Sequence, residues 1–400
     1  MQHLETGNIA LSMLVVFGGA KLLGEIFERL RMPALVGEIV AGFLVGPAVL
    51  QWIVWDSTLS ALADLGVMFL LFRVGLEVRA SELIKVGKTA GLVAVAGVAI
   101  PFAAGWGIAR LWGQPNFEAF FVAAAMVATS VGITAQILAA KGLLKKESAQ
   151  IILAAAVIDD ILGLLVLAVV SSMAEGPINI PGLVMTALLA TGFTFIVAKW
   201  GTPAMGRLVP GLERFLKAPE AQFNIAMVLL FVLSLGAVYA GVAPIVGAFL
   251  AGMALADSVN PRVHHLAQGV SELMGPFFLA GIGVQLDLTV LKSASLIWFA
   301  VAIFVAAVLS KLVGCGLGAM GLGRRAALQV GVGMAPRGEV GMVVAQIGLG
   351  FGIIRSNIYA VVVFMSVATT IIAPLLIKPA FRTLTESDEA AVAAGAFRIE

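Results

Sequence analysis

The sequence predicts an all-α polytopic membrane protein with about thirteen transmembrane helices, and both its composition and its pattern of hydrophobic stretches support this fold class. Of its 400 residues, 60% are hydrophobic and only 12% are charged, whereas charged residues make up about a quarter of a typical soluble protein. The hydrophobic residues form stretches of about 20, the number that a helix needs to cross the hydrocarbon core of a bilayer. The lipid bilayer is therefore the expected environment.

The hydrophobic stretches define the predicted spans in chain order. They lie near residues 8–27, 34–50, 60–76, 89–111, 117–140, 148–173, 181–200, 220–239, 242–256, 267–284, 293–319, 326–349 and 357–378. The second and ninth are short for a complete crossing, so we expect them to be steep or only partly exposed to lipid. A short polar tail is predicted over residues 379–400.

Basic residues predict the orientation of the chain, because lysine and arginine concentrate in the cytoplasmic connections of membrane proteins. The connections that follow odd-numbered spans carry most of them, whereas the opposite side has only Arg110, Lys292 and Arg355. We therefore expect the N-terminus outside and the C-terminus in the cytoplasm.

The start of the chain has no features of a removable signal peptide, and the net charge of +2 gives no indication of a nucleic-acid partner.

Three short motifs recur at an offset of about 209–210 residues. The pairs are Val36–Gly42 with Val246–Gly252, Leu65–Leu70 with Met274–Leu279, and Ala128–Ile133 with Arg337–Met342. They predict two homologous five-helix units over residues 34–173 and 243–378, preceded by an N-terminal span in 1–33 and joined by linking spans in 174–242. Corresponding spans are an odd number of crossings apart, so the units are inverted relative to each other, which is an architecture of secondary transporters.

Two adjacent acids, Asp159 and Asp160, lie in the middle of the sixth predicted span. A central aspartate costs about 2.5–3.5 kcal/mol on an insertion scale, so these two need a partner, access to water or a neutralising proton or cation. Neighbouring helix positions point about 100° apart, so the two acids cannot have the same role. Lys311, central in the eleventh span, is the expected partner because a deeply buried lysine either pairs with a carboxylate or loses its proton.

Two spans contain residues that interrupt a helix at mid-membrane depth. The fifth contains Thr129–Thr134, with hydroxyls, β-branched residues and a glycine, and the twelfth contains Met334–Gly341, with a proline. Proline removes a backbone donor and clashes with the preceding turn, and unwound backbone within a membrane is tolerated only when it is buried in protein or lines a cavity. Two crossed, broken helices beside the acids would offer the oxygen ligands that a small hard cation prefers.

Other charged residues of the predicted spans have a structural interpretation. Arginine stays charged, so Arg337 and Arg73 are expected to be counter-ions rather than proton carriers. Lys21 and Glu25, four residues apart on one helix face, are predicted to form a local ion pair. Cys315 is the single cysteine, so no internal disulfide is possible.

Four motifs together resemble a known family. They are Ala128–Thr134, Val157–Ile161, Ala243–Leu250 and Met334–Gly341, and they look like those of bacterial sodium/proton antiporters of the second monovalent cation:proton antiporter family, NapA type. The resemblance implies a thirteen-span fold with a mobile core domain of crossed, broken helices and a separate dimerisation domain that includes the first span. It also implies a homodimer in the bacterial inner membrane that works by an elevator-like movement.

The resemblance also implies the roles of individual residues. Asp160 is the main site for sodium and protons, and Asp159 pairs with Lys311 when the cation is absent. Thr129 and Ser130 are implied to lie at the first helix break near the cation. Arg337 and Glu339 are implied to be charges of the core that support the second break.

The expected function is therefore electrogenic exchange of cytoplasmic sodium for external protons, without a cofactor. Potassium/proton exchangers of the same family are the main alternative, but many of them replace the first acid, so the presence of Asp159 favours sodium. A channel and a sodium-coupled solute symporter are less favoured alternatives. An intramembrane aspartyl protease needs its acids on separate facing helices, so we expect no enzyme activity.

Overall fold

The computed structural model describes residues 2–30, 32–175, 180–215, 220–286, 293–337 and 339–393. The regular structure over these residues is helical. It comprises α1 (Gln2–Arg29), α2 (Ala34–Val45), α3 (Ser57–Leu76), α4 (Ala80–Leu111), α5 (Asn116–Val127), α6 (Val131–Ala140), α7 (Glu147–Glu175), α8 (Ile180–Phe215), α9 (Ala221–Tyr239), α10 (Pro244–Leu255), α11 (Pro261–Val284), α12 (Ala294–Gly318), α13 (Arg324–Gly333), α14 (Glu339–Gly350) and α15 (Ser356–Ala393).

Each predicted span lies on this helical framework, and two spans are divided between two helices. Nine helical segments of the described residues are long and apolar enough to cross a membrane, and three shorter apolar helices accompany them. The chain is thus an all-helical, multi-pass membrane protein, while the number of thirteen crossings stays a prediction. The two spans expected to be short are 12-residue helices, α2 and α10, and α15 continues into the predicted polar tail as far as Ala393.

The helices form two groups according to which of them pack together. The first helix group contains α1, α2, α3, α9, α10 and α11, and the second helix group contains α4 to α7 and α12 to α15. The long helix α8 contacts members of both groups. The main direct contacts between the groups are those of α3 with α6 and of α2 with α15. The assignment of a core domain and a dimerisation domain to these groups stays a prediction.

The first helix group packs backbone against backbone at glycines. A Cβ atom on Gly42 of α2 would lie 1.9 Å from the carbonyl oxygen of Ala280 on α11, and one on Gly252 of α10 would lie 2.1 Å from that of Phe72 on α3. Only glycine allows such an approach. Gly42 and Gly252 are 210 residues apart in the sequence, and Phe72 and Ala280 are 208 apart. The two contacts thus lie close to the offset of the predicted internal repeat, which itself stays a prediction.

The ion pairs of α1 differ from the predicted pairing of Lys21 with Glu25. Lys21 Nζ lies 3.1 Å from Oε1 of Glu38 on α2, and Glu25 instead accepts a hydrogen bond of 2.9 Å from Arg29. Gly37 allows α1 and α2 to approach closely, since a Cβ there would lie 2.4 Å from a backbone oxygen of α1. The Glu38 carboxylate can therefore reach Lys21 across the helix interface. Of the two side chains, that of Glu38 is buried.

Candidate functional site

The two adjacent acids lie on α7, which packs against α4, α5, α6 and α13. Asp159 has no solvent exposure, and Asp160 retains 7%. They are thus both inside the second helix group, as the cost of a carboxylate in lipid requires. The small difference in exposure agrees with the expectation that the two side chains point in different directions.

Asp159 and Lys311 form the predicted ion pair. The Nζ atom of Lys311, on α12, donates a hydrogen bond of 2.8 Å to Oδ1 of Asp159, and neither side chain is exposed. The second carboxylate oxygen of Asp159 has no hydrogen-bond partner among the described residues. The pair therefore neutralises the lysine but leaves one buried acceptor of the aspartate unused.

The first helix break separates α5 from α6 at residues 128–130. Sequence reasoning placed the interruption at Thr129–Thr134, but α6 already begins at Val131. Thr129 and Ser130 are both buried in the break, and the Thr129 hydroxyl has no hydrogen-bond partner among the described residues. The break therefore places a threonine hydroxyl with unused hydrogen-bonding capacity in the interior of the second helix group.

The second break, between α13 and α14, crosses the first. The backbone N–H of Ser130 donates a hydrogen bond of 2.9 Å to the carbonyl of Pro336, and the Thr134 hydroxyl donates one of 2.7 Å to the carbonyl of Gly333 at the end of α13. The interrupted backbones thus satisfy part of each other's hydrogen bonding, as buried polar groups require. This contact confirms that the two interruptions meet in space.

Arg337 stabilises the carbonyl end of α5. Its guanidinium is fully buried and donates hydrogen bonds to the carbonyls of Val127, at 2.9 Å, and Ala128, at 3.0 Å, and to that of Ala307 on α12, at 3.1 Å. A cation at a helix C-terminus compensates the partial negative charge of its free carbonyls. Arg337 was expected to be a counter-ion and a supporting charge of the core; its hydrogen-bond partners are backbone carbonyls, and its supporting role stays a prediction. Glu339 is the first residue of α14, but its side chain lies outside the described residues.

Two residues of this site were not identified in the sequence, namely Thr369 and Thr370 on α15. The Thr369 hydroxyl accepts a hydrogen bond of 3.0 Å from the backbone N–H of Arg337, and the Thr370 hydroxyl donates one of 2.6 Å to the Arg337 carbonyl. An offset of 210 residues places them at the positions of Asp159 and Asp160 in the first unit. The repeat therefore contained the signal that would have identified them.

A polar cluster also joins α5 to the connection between α14 and α15. Arg355 donates hydrogen bonds to Glu118, at 2.9 Å, and to the side-chain oxygen of Gln114, at 2.5 Å. Glu118 lies in the first turn of α5 and is almost fully buried. Its hydrogen bonds and its charge raise the pKa of Arg355. This cluster holds the end of α5 that is opposite to the break.

Comparison with known proteins gives the family. A family model described as "sodium/hydrogen exchanger, transmembrane" matches residues 13–383. This range includes both helix breaks, the two adjacent acids and Lys311.

Individual relatives match over most of their lengths. The chain is 33% identical to the high-affinity Na⁺/H⁺ antiporter NhaS3 of Synechocystis sp., over 94% of this chain and 90% of the relative. It is 31% identical to the Na⁺/H⁺-K⁺ antiporter GerN of Bacillus cereus, over 94% of this chain and 95% of the relative.

A solved structure shares the fold. It is that of the sodium proton antiporter MjNhaP1 from Methanocaldococcus jannaschii, with a TM-score of 0.65 at 19% identity over 95% of this chain and 98% of that one. These comparisons indicate the family and the fold, and they do not separate the NapA type from other members.

Proposed function

This chain belongs to the sodium/hydrogen exchanger family and is a sodium/proton antiporter, and on that premise we propose that Asp160 is the residue at which sodium and protons compete. The observation that carries the proposal is the buried Asp159–Lys311 pair on a helix that packs against both halves of the first broken helix. The lysine engages Asp159, whereas Asp160, the next residue of the same helix, is the acid of the two that keeps some exposure to solvent.

The surroundings of the acids suit a sodium ion. Hard cations prefer oxygen ligands, and the break contributes buried Thr129 and Ser130 in addition to backbone carbonyls. Asp160 retains slight exposure, whereas Asp159 has none, so Asp160 is the better candidate for a site that exchanges ions with water. Its ionised carboxylate binds sodium, and its protonated form releases it. Because proton binding weakens sodium binding, sodium binding weakens proton binding by the same factor.

A second proton is carried by the Asp159–Lys311 pair when this pair opens. Exchange of two protons for one sodium ion moves one net charge, whose energy changes by about 2.3 kcal/mol per 100 mV of membrane potential. Transport is therefore electrogenic, and sodium leaves the cytoplasm while protons enter from outside. We place the protein as a homodimer in the bacterial inner membrane, with its N-terminus outside and its C-terminus in the cytoplasm.

The site reaches the two sides of the membrane alternately when the second helix group moves relative to the first. The division of the helices into two groups with limited direct contact supports such an elevator-like movement. In this scheme the first helix group is the dimerisation domain, which stays in place, and the second is the core domain, which carries Asp160.

The test is sodium/proton exchange by purified protein in proteoliposomes, with Asp160→Asn compared with the native protein. We expect Asp160→Asn to lose exchange, because an amide can neither carry the proton nor neutralise sodium. Asp257→Asn is the matched control, since Asp257 is half-exposed in a surface pair with Arg79 and its loss costs little. Exchange by Asp160→Asn at the native rate would exclude Asp160 as the site.

Potassium is the second candidate substrate, because the relative GerN is named for potassium as well as sodium. Successive addition of sodium, lithium and potassium to the same vesicles, with proton flux as the measurement, decides between the ions. Sodium flux without proton counterflow would indicate a channel, and sodium uptake that depends on an organic solute would indicate a symporter.

A further inference from the structure

Gly97 on α4 borders the ion pair of Asp159 and Lys311. A Cβ atom on Gly97 would lie 2.6 Å from Sγ of Cys315 and 3.3 Å from Nζ of Lys311. Lys311 and Cys315 are four residues apart on α12, so they share one helix face, and both side chains are fully buried. The space that glycine leaves open is therefore lined by the ammonium group that binds Asp159.

The neighbours of Gly97 distinguish it from other glycines of the same helix interface. On α12, a Cβ on Gly314 would lie 2.7 Å from a backbone oxygen, and one on Gly318 would lie 2.6 Å from a backbone carbon of α4, so these two glycines set how closely the helices pack. At Gly97 the nearest atoms are instead the ends of two side chains. A methyl group there would displace those side chains and leave the helices in place.

The charged groups around Lys311 come from elements other than α4. Asp159 faces the ammonium from α7, and Arg337 of the second break interacts electrostatically with Asp159. The buried residues of α4 are alanines, valine, glycines and proline, so this helix contributes no charge there. The position of the Lys311 ammonium is therefore set by the attraction of Asp159 and by the space beside Gly97.

We propose that Gly97 is a positioning residue of the transport site, whose missing side chain leaves the Lys311 ammonium the room to reach Asp159. The inference rests on the proposed function, in which this ion pair opposes sodium binding because it must open during transport. A methyl group at residue 97 pushes the ammonium away from the carboxylate and weakens the pair. Sodium then binds against less opposition, so its KM falls while kcat changes little.

The experiment uses Cys315→Ala as the background, because this substitution removes the Sγ atom that is closest to the added methyl group. The remaining close contact is then the one with Lys311. Sodium KM and kcat are measured in proteoliposomes at one pH. We expect Gly97→Ala to lower the sodium KM by about three- to tenfold. Gly91→Ala, on the same helix with nothing within 4 Å of its Cβ position, should leave KM unchanged.

A second background separates positioning of the lysine from a general effect on the helix interface. With Lys311→Gln in place, Gly97→Ala should change the sodium KM by less than about twofold, because the group that it displaces is gone. An unchanged KM in the Cys315→Ala background, or an equal change with and without Lys311, would overturn the proposal. The result is independent of the Asp160→Asn test, since the transport aspartate is intact in all of these variants.

Discussion

The Asp159 carboxylate and the Lys311 ammonium meet 2.8 Å apart with no exposure to solvent. Removing two charges from water costs several kcal/mol per ion, and apolar residues of similar volume often give a more stable protein than a buried ion pair. The presence of this buried ion pair is therefore weak evidence that it stabilises the fold. A role in transport, in which it opens and closes, accounts better for two charges at this position.

Lys311→Gln should destabilise the protein by about 3–5 kcal/mol, because it leaves Asp159 as an unpaired buried charge. Asp159→Asn/Lys311→Gln should recover most of this loss, since neither charge remains. Thermal unfolding of the purified protein in detergent measures both effects. If the double variant is as unstable as the single one, the loss comes from packing of the lysine stem and not from the unpaired charge.

The same variant tests the proton pathway. If the ion pair carries the second proton, Lys311→Gln exchanges sodium with less net charge movement per cycle than the native protein. The measurement is sodium flux in vesicles at imposed membrane potentials. An unchanged dependence on potential would remove the lysine from the proton pathway and leave it a structural role.

Arg337 differs from Lys311 in that it pairs with carbonyls at the end of α5 and with a carbonyl of α12. A guanidinium has a fixed fork of donors that can bind several acceptors, whereas an ammonium is a compact charge on a flexible stem. Arg337→Lys should therefore cost about 2–4 kcal/mol in the free energy of unfolding, since hydrogen bonds to charged groups contribute about 1.5–3 kcal/mol each.

The control for this prediction is Arg325→Lys at the exposed start of α13, which should change stability by less than about 0.5 kcal/mol. Both variants are compared by thermal unfolding. If the midpoint temperature of unfolding of Arg337→Lys equals that of the native protein, the positive charge alone, and not the fork of donors, stabilises the break.

At the scale of helices, the two breaks show what local sequence can and cannot determine. The proline in Met334–Gly341 predicted the second break, because the chemistry of Pro336 acts on its own helix. The first break was predicted at Thr129–Thr134 but occupies residues 128–130, where Ser130 donates to the carbonyl of Pro336 in the other break. Its position depends on a partner about two hundred residues away, which no local pattern reveals.

The pairing of Lys21 was wrong for the same reason. Helical spacing favoured Glu25, but the close contact of α1 with α2 presents Glu38. By contrast, the pairing of Asp159 with Lys311 could be predicted from sequence, because a charge in the middle of a membrane span has few possible partners and each of them is rare.

The threonines of α15 should be needed to hold the second break. Thr369→Val/Thr370→Val removes both hydroxyls that bond the backbone of Arg337, and each buried group left unsatisfied costs about 1–3 kcal/mol. We expect the free energy of unfolding, measured by thermal unfolding, to fall by about 2–5 kcal/mol. The sodium KM should rise, because the two crossed breaks are no longer held in position relative to each other.

Thr186→Val is the matched control for these threonines. Its hydroxyl donates to a carbonyl of its own helix, α8. Its loss should therefore change the free energy of unfolding by less than about 0.5 kcal/mol, and the sodium KM by no more than the factor to which that energy corresponds. If the double variant behaves like this control, the break is held by Arg337 and its carbonyl partners alone.

For the whole molecule, the proposed elevator-like mechanism depends on the division into two helix groups. A cavity of about 450 Å³ lies between the groups, lined by Glu28, Met32 and Leu35 of the first and by Ile137, Lys141 and Lys378 of the second. Of the basic residues there, Lys141 follows the fifth predicted span and Lys378 ends the thirteenth, and both are on the side that is predicted to be cytoplasmic. Movement of one group against the other must change the width of this cavity, whereas contacts within a group should keep their geometry.

A cross-link across this cavity should therefore stop transport. In a Cys315→Ser background, the substitutions Met32→Cys and Lys141→Cys place one thiol on each group, and a short cleavable cross-linker joins them. We expect the linked protein to lose exchange by at least about tenfold and to regain it when the linker is cleaved, because the proposed mechanism requires interdomain movement in each cycle. The matched control is Glu220→Cys with Arg262→Cys, which joins two contacting surface residues within the first helix group. If the cavity cross-link forms in full and exchange continues at the rate of this control, the two groups do not move relative to each other during transport, and access to Asp160 must alternate by local opening of the broken helices.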